Sequence, residues 1–486
     1  MSLRRAAPWL LIALTVLAFA LGFWPGHMNA DALAMIDQAA GGFPLNDHHA
    51  PLLVWVWNLL WPLGLKPGVI LVLQVSAFLA GAYLVARAAF ARLGAAIVGI
   101  LVAFSPPVFG NLGVISRDTW FLAFLLLAFG FAVLAVRAPE RRTPALIAAT
   151  GFAVLTMFAR QNAAAAVIVL AVVLVGVAIS DRTAARARLV RWGAPVLAAT
   201  AAIAVALGVQ LGATKVVGAD PAHPEQYLYL YDLAGLSVRD GTSHFPDDVY
   251  PSGDVAALDA NSGVDTIIPL AFGAQPTIGM PRSDAQVAEM REAWLDEVTG
   301  DPIEYLDWRW DAYMEQIGVD SPGIFVYHPV IDPNQFGYSI AFPELNDVAT
   351  GYQELFADRF LNGGTFHVAW FYLLLALCSA IVLLIVAGAS RVVGALALST
   401  LTYQVGLFFG TMGTQWRFEY PTAAIALLCA AVAVKVVIDH GRRPRTDTAL
   451  TAAAEPGATA APSEVSRPAA EPVGAPAPER GRPPAY

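Results

Sequence analysis

Residues 6–24 read AAPWLLIALTVLAFALGFW, nineteen positions without a charge. A run of this length crosses the roughly 30 Å hydrocarbon core of a bilayer as one helix. Similar runs recur, and spans are expected at 6–24, 68–88, 94–111, 118–136, 144–160, 162–180, 192–212, 367–388, 392–410 and 419–437. Only 14% of the 486 residues are charged and 57% are hydrophobic, with a mean hydropathy of +0.58. A soluble domain carries about 25% charged residues. In lipid each backbone N–H and C=O must be satisfied within its own segment, so the spans have to be helices. The expected fold is an all-α polytopic membrane protein with about ten transmembrane helices. Residues 51–64 (PLLVWVWNLLWPLG) are too short to cross, and their three Trp suit a juxtamembrane helix at headgroup level.

Charge orients the chain. Arg4/Arg5, Arg87/Arg92, Arg137/Arg141/Arg142, Arg182/Arg186/Arg188/Arg191, Arg391 and Arg442/Arg443/Arg445 fall in one set of connections. The other set is nearly free of Lys and Arg. The positive-inside rule then predicts cytoplasmic N- and C-termini. It puts loop 25–67, the turns at 111–117, 160–162 and 411–418, and loop 213–366 outside. Four regions follow: an N-terminal membrane module of seven spans (1–212), an external loop domain (213–366), a C-terminal membrane module of three spans (367–440) and a disordered cytoplasmic tail (441–486), rich in Pro, Ala and Glu. Loop 213–366 holds 25 Asp and Glu against 6 Lys and Arg, more negative than the whole chain at −9. Such an acidic domain gives no footing for nucleic acid. Within it, helices are predicted at 283–299, after a Ser cap, and at 301–317, after an Asp cap with Pro in the first turn. Cys378 and Cys429 lie in apolar runs and read as small hydrophobes, not a disulfide or a metal site. Arg outnumbers Lys 26 to 3, the usage of a GC-rich bacterial genome.

Three Arg stand on the side where Arg is otherwise rare: Arg117 in Ser116-Arg117-Asp118-Thr119, Arg160 in Arg160-Gln161-Asn162, and Arg417 in Gln415-Trp416-Arg417-Phe418-Glu419-Tyr420-Pro421. Any one of them could be a snorkelling anchor or a local ion pair. Three at one bilayer face, from separate spans, favour an anion site, because the guanidinium fork matches phosphate. Asp31, about seven residues past the first span, suits a general base or a helix N-cap, and the residue type leaves both open. His48 and His49 could orient a substrate group or simply occupy a turn capped by Asp47. Adjacent His leave a divalent cation open as a cofactor without requiring one. Asp47, Asp118, Asn162, Gln415, Glu419 and Tyr420 accompany these groups as candidate substrate contacts. No span carries an ionisable residue near its middle, which speaks against an ion-coupled transporter.

With these residues in view, the chain resembles the GT-C class of membrane glycosyltransferases, the polyprenyl-phosphate-sugar-dependent group that includes protein mannosyltransferases. The resemblance covers residues 1–437 in layout and rests on three places. Asp31 matches the acidic residue of the first outer loop. His48-His49-Ala50-Pro51-Leu52 is similar to the His-Pro segment leading into a juxtamembrane helix. Arg417-Phe418-Glu419-Tyr420-Pro421 is similar to the Arg-Tyr-x-x-Pro segment opening a late span. Two departures are Asp31-Ala32, where the family often has Asp-Glu, and Arg417-Phe418, where it often has Arg-Tyr.

The resemblance implies glycosyl transfer on the outer face of a bacterial plasma membrane. The donor would be a polyprenyl-phosphate-linked sugar and the acceptor a glycan, lipid or protein. Asp31 would act as base with His48 and His49 beside it, and Arg117, Arg160 and Arg417 would hold phosphate. A polysaccharide polymerase or O-antigen-ligase type enzyme is the nearest alternative. A lipid-linked sugar flippase, which should show internal repeats, and a membrane scaffold, which would not need outer-face Arg, are the others.

Overall fold

A computed structural model of the chain describes residues 3–179, 214–263, 266–272, 275–279, 283–320, 328–361, 367–386 and 388–442, with isolated helical positions between 197 and 212. In chain order the principal helices are α1 (Leu3–Phe23), α2 (Ala30–Ala40), α3 (Pro51–Leu60), α4 (Pro67–Ala86), α5 (Arg92–Ala103), α6 (Pro106–Leu112), α7 (Arg117–Arg137), α8 (Arg142–Ala159), α9 (Ala164–Ile179), α10 (Gln226–Asp240), α11 (Asp284–Gly300), α12 (Pro302–Gln316), α13 (Pro343–Leu361), α14 (Ala369–Ile385), α15 (Ala389–Gly410) and α16 (Trp416–Gly441). Among the described residues there are isolated β-bridges but no strands.

The described residues are all-helical in architecture, and among them six helices are long and apolar enough to cross a membrane: α1, α4, α7, α8 with its leading turn, α15 and α16. This is fewer than the ten spans expected. The predicted span 94–111 is not one straight helix but α5 and α6, bent by 80°. The cause is local: Ser105 precedes Pro106-Pro107, and the residue before a proline is driven out of the α region. Ser105 is accordingly extended, at φ −68° and ψ 141°. Counted as one broken span, this pair makes seven. The expected spans at 162–180 and 367–388 are the shorter apolar helices α9 and α14, of 16 and 17 residues. The span at 192–212 lies almost wholly outside the described residues, as does the tail from 443.

α7 lies at the centre of the bundle, against α4, α8, α9 and α15. Close approach to α4 depends on two glycines. A Cβ on Gly81 would sit 2.7 Å from the Leu126 Cβ, and one on Gly130 would sit 2.5 Å from the Leu84 Cβ. With α4 held there, the buried Gln74 donates from Nε2 to the carbonyls of Leu112 (3.0 Å) and Val114 (2.8 Å). That anchors the segment before α7. His27 and Met28 then bridge in parallel to Val114 on one side and Ile331 on the other. Asn346 of α13 also donates to the Gly22 carbonyl and contacts His27 Nε2 at 2.7 Å. The start of α2 is thus clamped from three directions, which fixes where Asp31 begins its helix.

Residues 226–312 build a second hydrophobic core, with Leu230, Leu233 and Ala234 of α10 against Met290 of α11 and Trp308 and Ala312 of α12. The predicted helices at 283–299 and 301–317 are α11 and α12 within a residue, and Ser283 with Gln286 forms a full capping box. At the centre of this core Arg309 and Asp232 pair at 2.6 Å with no side-chain exposure. The indole N–H groups of Trp294 and Trp308 also donate to Asp232, at 2.8 and 3.0 Å. A buried charge needs such partners to survive desolvation. α12 docks on the membrane bundle: Arg309 donates to the Thr411 carbonyl at 2.7 Å and Tyr313 to Gln404 Oε1 at 3.1 Å.

Candidate functional site

The connection after α1 supplies Asp31. α2 begins after Asn29, whose side chain accepts the Ala32 N–H at 3.0 Å and is therefore the N-cap. Asp31 sits inside the first turn with its carboxylate left over. Its Oδ2 meets Nη1 of Arg417, from the first turn of α16, at 2.5 Å. About a third of the Asp31 side chain stays accessible, and about a quarter of the Arg417 side chain. Arg417 Nε has no hydrogen-bond partner, so the guanidinium is only partly used.

His48 and His49 follow on the loop before α3, their rings edge-to-face with centroids 4.7 Å apart. His49 is buried at 4% exposure and its Nδ1 lacks a partner. Arg117, at the start of α7, reaches the His48 carbonyl with Nη1 at 3.5 Å, the outer limit of a hydrogen bond. It makes no ion pair with any described carboxylate. Arg160 is different: with Asp118 it forms a buried ion pair, and Ser116 caps α7 and also donates to Asp118 Oδ2. The guanidinium of Arg160 lies 4.9 Å from the Phe418 ring centre, and that of Arg417 lies 5.0 Å from it, on account of their shared position around that ring.

The electrostatics follow from these neighbours. Burial raises the Asp31 carboxyl, but Arg417 and then Arg117 overcome it and hold it well below the usual carboxylate range. His49 is pushed down to about 3 by burial and then by Arg117. His48 is lowered by burial, partly offset by Asp31. At neutral pH the cluster therefore holds an ionised carboxylate, two neutral imidazoles and guanidinia of which Arg117 has no carboxylate partner. The arrangement can bind an anion at Arg117 and Arg417 with a proton acceptor beside it.

The structure thus brings Asp31, His48, His49, Arg117 and Arg417 together and puts Arg160 with Asp118 just beneath them. Other candidates are used elsewhere. Glu419 is fully buried and its carboxylate accepts from Gln404 (2.8 Å) and Gln316 (3.2 Å), beneath the accessible cluster. Tyr420 is buried and donates its hydroxyl proton to Thr119 Oγ1 at 2.7 Å. Gln415 meets Gln316 through its backbone. Asn162 backs onto α15 near Gly406. Asp47 Oδ1 accepts the Ala222 N–H at 2.5 Å, stapling the connection after α1 to the start of the long loop. Among the described residues no three His, Cys, Asp or Glu side chains converge in the manner of metal ligands.

Sequence reasoning missed Tyr227. Its ring packs edge-on against His48 at 5.1 Å and face-on against Phe272 at 5.0 Å, and Asp31 lies near enough to raise its hydroxyl further after burial has done so. No local pattern marks it, because it comes from a helix nearly two hundred residues away. Beside it opens a cavity of about 480 Å³ that also reaches His48. Comparison with family models, with curated proteins and with solved structures gave no match.

Proposed function

We propose that this protein is a membrane glycosyltransferase that takes a sugar from a polyprenyl-phosphate donor at the outer face of a bacterial plasma membrane. One observation carries the reading. Arg117, next to the Asp31–Arg417 pair, is a half-buried guanidinium with a hydrogen bond to one carbonyl at 3.5 Å and no described carboxylate within ion-pair distance, Asp118 and Asp31 acting on it only through space. A desolvated cation of this kind is costly unless an anion completes it. A phosphate on a lipid tail reaches this depth, and two guanidinium forks flank the position it would take.

In this mechanism Arg117 and Arg417 hold the donor phosphate, and Arg160 reinforces the field from beneath. The acceptor hydroxyl oxygen forms the new bond to the anomeric carbon. The bond from that carbon to the phosphate oxygen breaks, and its electron pair leaves on the polyprenyl phosphate, where the guanidinia stabilise the charge. Asp31 takes the hydroxyl proton. Its low proton affinity at rest comes from Arg417, so engagement of Arg417 by phosphate raises the basicity of Asp31 when substrate is present. Neutral His48 and His49 offer hydrogen bonds without adding charge. The segment 220–227, tied to the first outer connection through Asp47, helps exclude water.

The test is transfer by the full chain in lipid nanodiscs, using undecaprenyl-phosphate sugars as donors and cell-envelope extract as acceptor. Release of undecaprenyl phosphate should require protein and acceptor and should fall by about a hundredfold or more in Arg117→Ala. Donor turnover that survives this change, or a wild-type chain that neither binds nor turns over any such donor, sinks the reading.

A further inference from the structure

The cavity beside Tyr227 has a different chemistry from the Arg cluster. Its lining includes Phe43, Asn46, His48, Asp220, Gln226 and Tyr227, with no Lys or Arg among the described residues. Two backbone hydrogen bonds join its walls, Asp220 N–H to the Leu45 carbonyl at 2.7 Å and Asp47 N–H to the Asp220 carbonyl at 3.2 Å. The wall is therefore built, not incidental. Tyr227 is a fixed aromatic platform, held by the stack on Phe272 behind it. Phe43 opposes it on the connection after α1 and is 52% exposed. Gln226 is 1% exposed, and its Oε1 has no hydrogen-bond partner. The Asp220 side chain is exposed.

A ligand for this space needs an apolar face for the ring and a hydroxyl donor for a carboxylate. It cannot be an anion, since Asp220 would repel it and no cation answers it. A pyranose ring has this character. Its C–H face lies on an aromatic surface and its rim carries hydroxyl donors. The volume falls within the roughly 300–1,000 Å³ of small-molecule sites. His48 belongs both to this lining and to the Asp31 cluster, so a ring seated here presents its edge toward the carboxylate.

We propose that the cavity formed by Phe43, Asn46, Asp220, Gln226 and Tyr227 is a neutral-sugar subsite that seats a pyranose unit of the acceptor beside Asp31. The subsite deepens the glycosyltransferase reading, and as acceptor subsite it rests on that reading; sugar binding itself does not.

Saturation-transfer NMR on the full chain in nanodiscs tests it. The probes are the methyl pyranosides of mannose, glucose, galactose and rhamnose, with undecaprenyl phosphate binding measured separately by native mass spectrometry. At least one glycoside should receive saturation. Tyr227→Ala and Asp220→Asn should each weaken that signal about tenfold, the effect of losing a buried or charge-assisted contact, and leave undecaprenyl phosphate binding in place. Asp220→Asn keeps the backbone staple and changes only an exposed side chain, so it remains informative if Tyr227→Ala does not fold. Glycoside binding that persists unchanged in Asp220→Asn and in any folded Tyr227→Ala overturns the subsite, and so does its absence in the wild type for all four probes. If glycosides bind through Tyr227 and Asp220 while undecaprenyl phosphate does not bind, the sugar site stands and the polyprenyl-phosphate reading falls.

Discussion

Asp31 Oδ2 and Arg417 Nη1 meet at 2.5 Å although 386 positions separate them in the chain. The carboxylate comes from the first turn of α2 and the guanidinium from the first turn of α16. Neither group is fully buried, so the pair is open to a ligand that would take the guanidinium for itself.

Replacing the carboxylate by an amide separates catalysis from capping. Asn29 is the cap of α2, so Asp31→Asn removes no helix cap, only the partly exposed ion pair with Arg417, and should leave the protein folded. Turnover should drop by roughly 10²–10⁴-fold if the carboxylate takes the acceptor proton. Near-normal turnover in a folded Asp31→Asn protein would remove Asp31 as the base.

A phosphate clamp at Arg417 needs the planar fork and not only a positive charge. Arg417→Lys should therefore weaken donor binding nearly as much as Arg417→Ala, by about tenfold or more. A snorkelling anchor predicts that Lys serves as well as Arg and that Ala chiefly lowers the amount of folded protein. Donor affinity and membrane abundance, measured for both variants, distinguish these outcomes.

Acid should destabilise the fold before the carboxylates titrate. His49 is held at about 3, and the unfolded imidazole at 6.5, so between these values the unfolded chain binds a proton that the folded chain does not. Stability from neutral His49 is complete above 6.5 and is lost as pH falls toward 3. The slope is up to ~1.4 kcal/mol per pH unit for one such group. His48, also lowered, and His27, held at about 4, act in the same direction. Asp31 contributes its own loss only below the ordinary carboxylate range. Melting temperature should thus fall between pH 6.5 and 4.5, and His49→Gln should flatten that fall. An identical slope in the variant would assign acid sensitivity to other groups.

The second core depends on the Asp232–Arg309 pair. Asp232→Ala strands a buried guanidinium and should cost about 3–5 kcal/mol, whereas Asp232→Leu combined with Arg309→Met should cost clearly less. Limited proteolysis between 226 and 316, with chemical unfolding, measures both. A single variant as stable as wild type would mean that the pair does not hold α10 to α12.

Orientation has its own check. In a Cys378→Ser, Cys429→Ser background, an impermeant thiol reagent on intact cells should label a cysteine placed at Ser262 and not one placed at Ser463. The opposite pattern would move the Arg cluster to the cytoplasmic face and with it discard a polyprenyl-phosphate donor on the outside.

Helical character was legible in the sequence, because hydropathy is a property of consecutive residues. The bend at Ser105-Pro106 was legible too, in the Pro-Pro step, but a hydropathy reading of 94–111 passes over it. Whether Asn29 or Asp31 caps α2 was not legible, since both residue types cap well and only the clamp on residues 27 and 28 decides where the helix starts. The roles of Arg117, Arg160 and Arg417 diverged for the same kind of reason. Arg160 is consumed by Asp118, Arg417 meets Asp31, and Arg117 is left with a carbonyl. Tyr227 joined the site although no motif surrounds it.

By itself the sequence determined an all-helical membrane protein, the helix caps of α11 and α12, and a short set of charges in the connections between spans. Tertiary structure alone decided which carboxylate faces which guanidinium, and that Glu419 and Tyr420 lie beneath the accessible cluster. Such pairings depend on helix positions set by contacts like Gly81 against Leu126, a few ångströms of packing between segments far apart in the chain. An ion pair forms or fails within that same distance.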